Sequence, residues 1–319
     1  MTTDITELGR QLKPKNLRKA DELPVHAPVT AVKVEPVGGQ MVFFPEAVGA
    51  MPTEITRTSL FALIPRKEKG KAGERRVYQN VKLESRIDVH AVYEGPVLDQ
   101  GDETRWMAAL RLCRDVRLGE RKYMLVADVL HDLNLSDTKA NREALAAGFD
   151  RLSKSSLTIE FMRRNKKVHV VTGLMKWGYE TDPTKGIGKA DQIYMRLDPD
   201  GAQVFENMAY QPWDVRTSLK GPASMALMTY ASGQPAGKHH CVILAELKRY
   251  LGYEGPVAEF RRQIRSALAE LEQHGFFRAG KSGLKGRGRL ERTFWIRTNA
   301  KKSISATEDE PPVAEPTVM

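Results

Sequence analysis

Three arginines, Arg261, Arg262 and Arg265, share one side of a helical repeat and could grip a polyanion. A guanidinium is permanently charged and presents donors in a planar fork that suits phosphate oxygens and guanine edges alike. A Gly-rich basic stretch follows, with Lys281, Lys285, Arg287, Arg289 and Arg292. Lysines and arginines on a narrow hairpin can track a phosphate backbone. From Val257 to Thr298 the chain carries ten Lys/Arg and four Glu, in a protein of 319 residues whose net charge is +10. Charge gathered in this way attracts nucleic acid.

Other candidate chemistry fails on spacing. Gly186-Ile187-Gly188-Lys189 lacks the earlier Gly of a phosphate loop and has Ala190 where Ser/Thr is needed, so it reads as a flexible loop. In His239-His240-Cys241 adjacent side chains point apart, with no further metal ligands close in sequence. No His-x-His occurs, which argues against a metal-dependent nicking enzyme, and no nucleophile motif or carboxylate cluster stands out. The expectation is a non-enzyme with no cofactor and no metal. Cys113 and Cys241 are the only cysteines, too few for a disulfide framework. Asp4 and Glu7 argue against a secretory leader, and no apolar run reaches the ~18–20 residues of a membrane span. A cytoplasmic protein without membrane contact is expected.

The arginines need a helix to align them. Phe260, Ile264, Ala267, Leu268 and Leu271 recur at helical spacing and leave Arg261, Arg262 and Arg265 on the opposite side. Gly275 ends the helix, Phe276-Phe277 begins a strand, and Phe294-Trp295-Ile296 forms a second. Upstream, Pro222–Ala231 and Ile243–Leu251 read as helices. A helix with one arginine-rich face, followed by a basic hairpin, is the recognition helix and wing of a winged-helix unit.

The same order occurs earlier. Trp106, Met107, Leu110 and Cys113 mark a helix, with Asp102 and Glu103 in its first turn. Val126, Val129, Leu130 and Leu133 mark a short one, and Leu145, Phe149 and Leu152 a third, with Ser136 and Asp137 as caps. Leu157–Met162 and Val168–Leu174 read as strands meeting at a basic tip, Arg163, Arg164, Lys166 and Lys167. Lys139 and Lys154 flank the third helix, but Glu143 and Asp150 interrupt its charge. These six basic residues are weaker candidates for DNA contact. Val77–Leu83 and Ile87–Tyr93 alternate as strands, the second closing at Glu94-Gly95-Pro96. Trp177 and Tyr179 suit a core edge better than base stacking.

The expected fold is α+β, with two tandem winged-helix domains between disordered tails. Residues 1–50 form a Pro-interrupted tail, with Val42-Phe43-Phe44 as a sticky spot. Residues 51–212 form a first domain for self-association and weaker DNA contacts, and 213–299 a second that is the main DNA grip. Residues 300–319 form an acidic tail. A transcriptional repressor binding operator repeats uses the same scaffold and stands as the alternative function.

Thr53-Glu54-Ile55-Thr56-Arg57-Thr58-Ser59-Leu60-Phe61, Asp102 to Leu110 and Leu118-Gly119-Glu120 resemble the TrfA-like plasmid replication initiators. The resemblance spans residues 53–298. It implies two winged-helix domains binding repeated origin sequences (iterons), assistance in opening an AT-rich segment, and recruitment of the host initiator and helicase. It also implies monomer–dimer control of copy number. Thr58-Ser59-Leu60-Phe61 is similar to the end of a sliding-clamp-binding peptide, but Arg57-Thr58 replaces the leading Gln-Leu. A buried strand start suits it better.

Overall fold

The structure, a computed structural model, describes residues 45–64, 75–180, 186–188 and 190–298. Val42-Phe43-Phe44, Lys189 and the expected C-terminal tail lie outside them. β1 (Val48–Pro52) is buried along its length, so ordered structure crosses the boundary expected at residue 50. A 3-10 turn at Ile55–Arg57 leads into β2 (Phe61–Ala62). Leu60 is 3% and Phe61 6% exposed. The Thr58–Phe61 stretch is a buried strand start, not a free peptide.

β3 (Val77–Lys82) and β4 (Val89–Pro96) pair antiparallel, and β4 runs on through Glu94-Gly95-Pro96. β5 (Leu98–Asp99) lies parallel to β2 and opens α1 (Gln100–Leu112). Asp99 accepts from the N–H groups of Gly101 and Asp102, while the Asp102 carboxylate accepts from the Asp99 N–H. This reciprocal cap answers the unpaired donors of the first turn. β6 (Lys122–Leu125), α2 (Val126–Asp132) and α3 (Lys139–Ser153) follow. Thr138, not Ser136 or Asp137, caps α3 by accepting from the Asn141 N–H. It is Thr138 that takes the extended backbone of a capping position.

β7 (Ser156–Arg163) and β8 (Lys166–Gly173) form a tight hairpin, with Arg164 and Asn165 at φ 49° and 61°. β9 (Met175–Tyr179), β10 (Gln192–Leu197) and β11 (Met208–Pro212) lead to α4 (Trp213–Ser218). The last part holds α5 (Pro222–Ser232), β12 (His239–Ile243), α6 (Leu244–Tyr250), α7 (Val257–Gln273), β13 (Gly283–Lys285) and β14 (Arg292–Ile296).

The sheets redraw the repeat. One three-stranded sheet runs β6-β10-β9 and another β12-β14-β13. Each is entered just before a short helix and closed by two strands after a longer one. The counterpart of β13–β14 is therefore β9–β10. The β7–β8 hairpin instead extends β3 and β4 into a four-stranded sheet, ordered β3-β4-β7-β8. Register decides this: Leu157, Ile159 and Phe161 face inward opposite Tyr93, Ala91 and Val89. Phe276 and Phe277 also depart from expectation. They are buried but belong to no strand, and Phe277 makes only an isolated bridge to Arg297.

Two apolar cores lie within the unit Pro36–Met319. The first gathers Trp106, Met107, Phe149, Leu152 and the inward residues of β4 and β7. The second gathers Leu227, Phe260, Ile264, Leu271, Phe277 and Trp295, and it also takes in Leu63 from the N-terminal segment. Leu63 N–H donates to the Leu251 carbonyl at 2.8 Å. Arg216 on α4 crosses between the parts. It is fully buried and donates to Glu103 Oε2 (3.1 Å), Thr104 Oγ1, Thr229 Oγ1 and the Met225 carbonyl.

Candidate nucleic-acid interface

α7 carries the basic surface because its apolar residues leave one stripe to solvent. Phe260, Ile264, Ala267, Leu268 and Leu271 are buried. Gly275, at φ +70°, reverses the chain after the helix, where any other residue would sit in the left-handed region at a cost. Arg262 and Arg265 are exposed. Arg262 lies 3.9 Å from Glu259 across the helix surface, with 79% of its side chain exposed. Such an exposed pair contributes little and exchanges readily for another anion.

Arg261 has a different task. Its Nε donates to Glu291 Oε1 at 2.9 Å, and its terminal nitrogen lies 2.7 Å from Glu291 Oε2. Glu291 is 6% exposed and stands just before β14. The pair fastens the helix to the returning strand of the hairpin, so Arg261 is not a free contact for DNA. A second clamp holds the outgoing strand. Glu272 accepts from the N–H groups of Gly280 (3.2 Å) and Ser282 (2.9 Å). Burial alone would raise the Glu272 pKa, but hydrogen bonds from Ser282, Gly280 and Lys281 outweigh it and hold the carboxyl below its ordinary value.

Between these clamps the hairpin projects. Lys281, Lys285, Arg287, Arg289 and Arg292 are exposed, and so are Arg278 and Leu290, which the sequence reading passed over. Leu290 is 72% exposed at the turn, directly after the exposed Arg289. Its apolar side chain on a basic loop was the signal available. Gly286 takes φ +92° with the Leu290 carbonyl close to where a Cβ would stand, so this turn requires glycine.

The basic candidates of the first part fare unevenly. Arg163 is drawn into the protein. It pairs with Glu54 (3.3 Å) and Glu206 (2.9 Å), donates to the Gln203 carbonyl and lies over the Phe161 ring. Lys167 pairs with Glu160 at 2.9 Å across the hairpin, and Lys139 with Glu143 at 3.8 Å along α3. Arg164, Lys166 and Lys154 stay exposed. Arg151 is bidentate on buried Asp102. Trp177 packs at a core edge, 5.5 Å from the Phe149 ring, and donates to Asp150. The structure thus gathers the cations of α7 and its hairpin on one exposed stretch of chain and disperses those of the earlier part.

No protein-family model matches the chain, and no curated protein matches its sequence. A crystal structure of selenomethionine derivatives of domains 2 and 3 of RctB aligns with TM-score 0.51 at 13% identity. The alignment covers 77% of this chain and 98% of that one. The chain shares the fold of RctB domains 2 and 3. A second crystal structure of the same domains aligns with TM-score 0.46 at 12% identity, covering 77% of this chain and 97% of that one. Among the described residues, no helix is long and apolar enough to cross a membrane.

Proposed function

We propose that this protein is a plasmid replication initiator that binds repeated duplex sequences at its origin, with no catalytic activity of its own. The observation that carries the reading is the exposed Arg262–Arg265 face of α7, followed by a basic hairpin clamped at both strands. The fold shared with domains 2 and 3 of RctB, a replication initiator, supports it, as does the resemblance of residues 53–298 to TrfA-like initiators. In this reading both repeats are winged-helix units. α7 enters the major groove, and the β13–β14 hairpin lies along the adjacent backbone. The earlier repeat, with its acid-paired cations, makes weaker contacts and carries self-association. Binding of several copies would supply the free energy for origin opening, and the host initiator and helicase would follow.

The test is binding to duplexes from the plasmid's own origin, compared with scrambled duplexes, across a salt series. Specific binding to direct repeats, together with replication of a minimal plasmid carrying only that origin, is the expected result. Equal affinity for scrambled DNA would overturn the reading. Repeat binding without support of replication would favour the repressor.

A further inference from the structure

The acidic run Glu308-Asp309-Glu310, with Glu315 beyond it, has no part in the proposed DNA contact. From Ser303 onward the chain carries these four carboxylates and no Lys or Arg, in a protein of net charge +10. The segment lies outside the described residues, but the point from which the chain departs toward it is held. Thr298 N–H donates to the Phe276 carbonyl at 3.0 Å, and the Thr298 hydroxyl donates to the Gly275 carbonyl at 2.7 Å. The departure point is therefore the C-terminal end of α7, the helix that carries the arginine face.

Reach and charge both fit that face. From Thr298 to Glu308 is ten residues (298 to 308), which can span about 33 Å when extended. Arg265 stands ten residues before Gly275 (265 to 275), about 15 Å along a helix axis. Arg278 and Lys281 are exposed just beyond the helix. Among the described residues, no carboxylate pairs with Arg265, Arg278, Lys281 or Lys285, and Arg262 has only its 3.9 Å contact with Glu259. A tethered partner competes at an effective concentration of about millimolar. Weak carboxylate–guanidinium pairs can then fill a bare cationic face at low salt, where screening is slight.

We propose that segment 303–319 docks on the α7 and hairpin surface of its own chain, with Glu308, Asp309 and Glu310 in the place of DNA phosphates. Duplex must displace it, so the segment sets an affinity threshold below which DNA is not held. That consequence rests on the DNA reading above. The docking itself needs no DNA and is tested without it.

Carbodiimide coupling joins a carboxylate to an amine where the two are in contact. On the full chain at low salt, it should link Glu308, Asp309 or Glu310 to Lys281 or Lys285 within one chain. The links should fade at about 0.5 M salt and weaken in Arg262→Ala/Arg265→Ala. No links, links spread evenly over exposed lysines, or links joining two chains would overturn the proposal. A second arm measures duplex binding. Glu308→Gln/Asp309→Asn/Glu310→Gln/Glu315→Gln should bind at least about threefold more tightly than wild type at low salt, because the tethered competitor is gone. Glu120→Gln/Glu180→Gln/Asp200→Asn/Asp214→Asn removes the same charge from exposed positions elsewhere and should gain less. An equal gain in that control would show charge alone at work and overturn the docking. Links to Lys281 or Lys285 in a protein that binds no duplex, with or without the acidic run, would uphold the docking and remove the DNA reading instead.

Discussion

At the scale of single residues, similar arginines do different things, and their partners decide which. Arg262 and Arg265 face solvent. Changing both to alanine should lower the salt slope of log K by about 2, since each phosphate contact contributes about 0.9. Where each also makes a base contact worth about 1–3 kcal/mol, affinity should fall by about 30-fold or more. Wild-type slope and affinity would remove them from the interface. Arg261 gives the opposite kind of result. Glu291→Gln deletes a negative charge near a polyanion, which by charge alone should raise affinity. Because Glu291 anchors the hairpin through Arg261, affinity should instead fall, with a lower Tm. Tighter binding by Glu291→Gln would disprove the clamp. Leu290 makes a third case. At 72% exposure it contributes little to folding, so Leu290→Ser should leave Tm unchanged. If the hairpin tip wedges between base steps, the same change should reduce DNA bending in a gel-mobility assay.

At the scale of elements, the hairpin after α7 is rigid at its base and free at its tip. Glu272 supplies one of the two contacts that hold its base, and it does so as a carboxylate. Its folded pKa lies below its unfolded value, so the stabilisation is complete above the unfolded value and is lost as pH falls through the depressed one. A carboxyl carbon titration by NMR should give Glu272 a midpoint below 4.5. A midpoint at or above that value counts against the two amide hydrogen bonds. The earlier repeat is built differently. Its strand pair β9–β10 stands where β13–β14 stands in the later repeat, and the β7–β8 hairpin between them and α3 serves another sheet. That insertion explains why counting strands after the third helix selects the wrong hairpin. The first pair after α3 is the insertion, and its basic tip imitates a wing.

At the scale of the whole molecule, the two cores are tied together by a buried polar knot. Arg216 and Glu103 lie in a region with almost no water, 0% and 2% of their side chains being exposed. Burial raises the Glu103 pKa more than Arg216 lowers it. Removing Arg216 takes away the cation that favours the Glu103 carboxylate, leaving a buried carboxyl that must either stay charged and unpaired or take up a proton, both at a cost. Arg216→Met should therefore destabilise the protein by about 3–5 kcal/mol, and Arg216→Met with Glu103→Leu by less than that single change. Thermal unfolding of the three proteins measures the difference. A double variant no more stable than Arg216→Met would show that the hydrogen bonds to Thr104, Thr229 and the Met225 carbonyl matter more than the ion pair.

Helices were legible in the chain because their information is local. The 3.6-residue recurrence of Phe260, Ile264, Ala267, Leu268 and Leu271 gives α7 to within a residue at each end, and α2 and α6 follow from the same pattern. The basic stretch after α7 was legible for the same reason, since glycine and charge act where they stand. Strand partnership was not legible. An alternating segment such as Leu157–Met162 says that one face is buried but not which strand lies beside it, and only the register against β4 settles that. Ion pairing was equally hidden. Glu291 lies 30 residues from Arg261 and Glu54 lies 109 from Arg163, distances in sequence that no periodicity spans. What the sequence determined alone was where helices run and where positive charge collects. Which of those charges remain free for a partner was decided by tertiary structure, because a carboxylate brought close by folding competes for the same guanidinium as a phosphate.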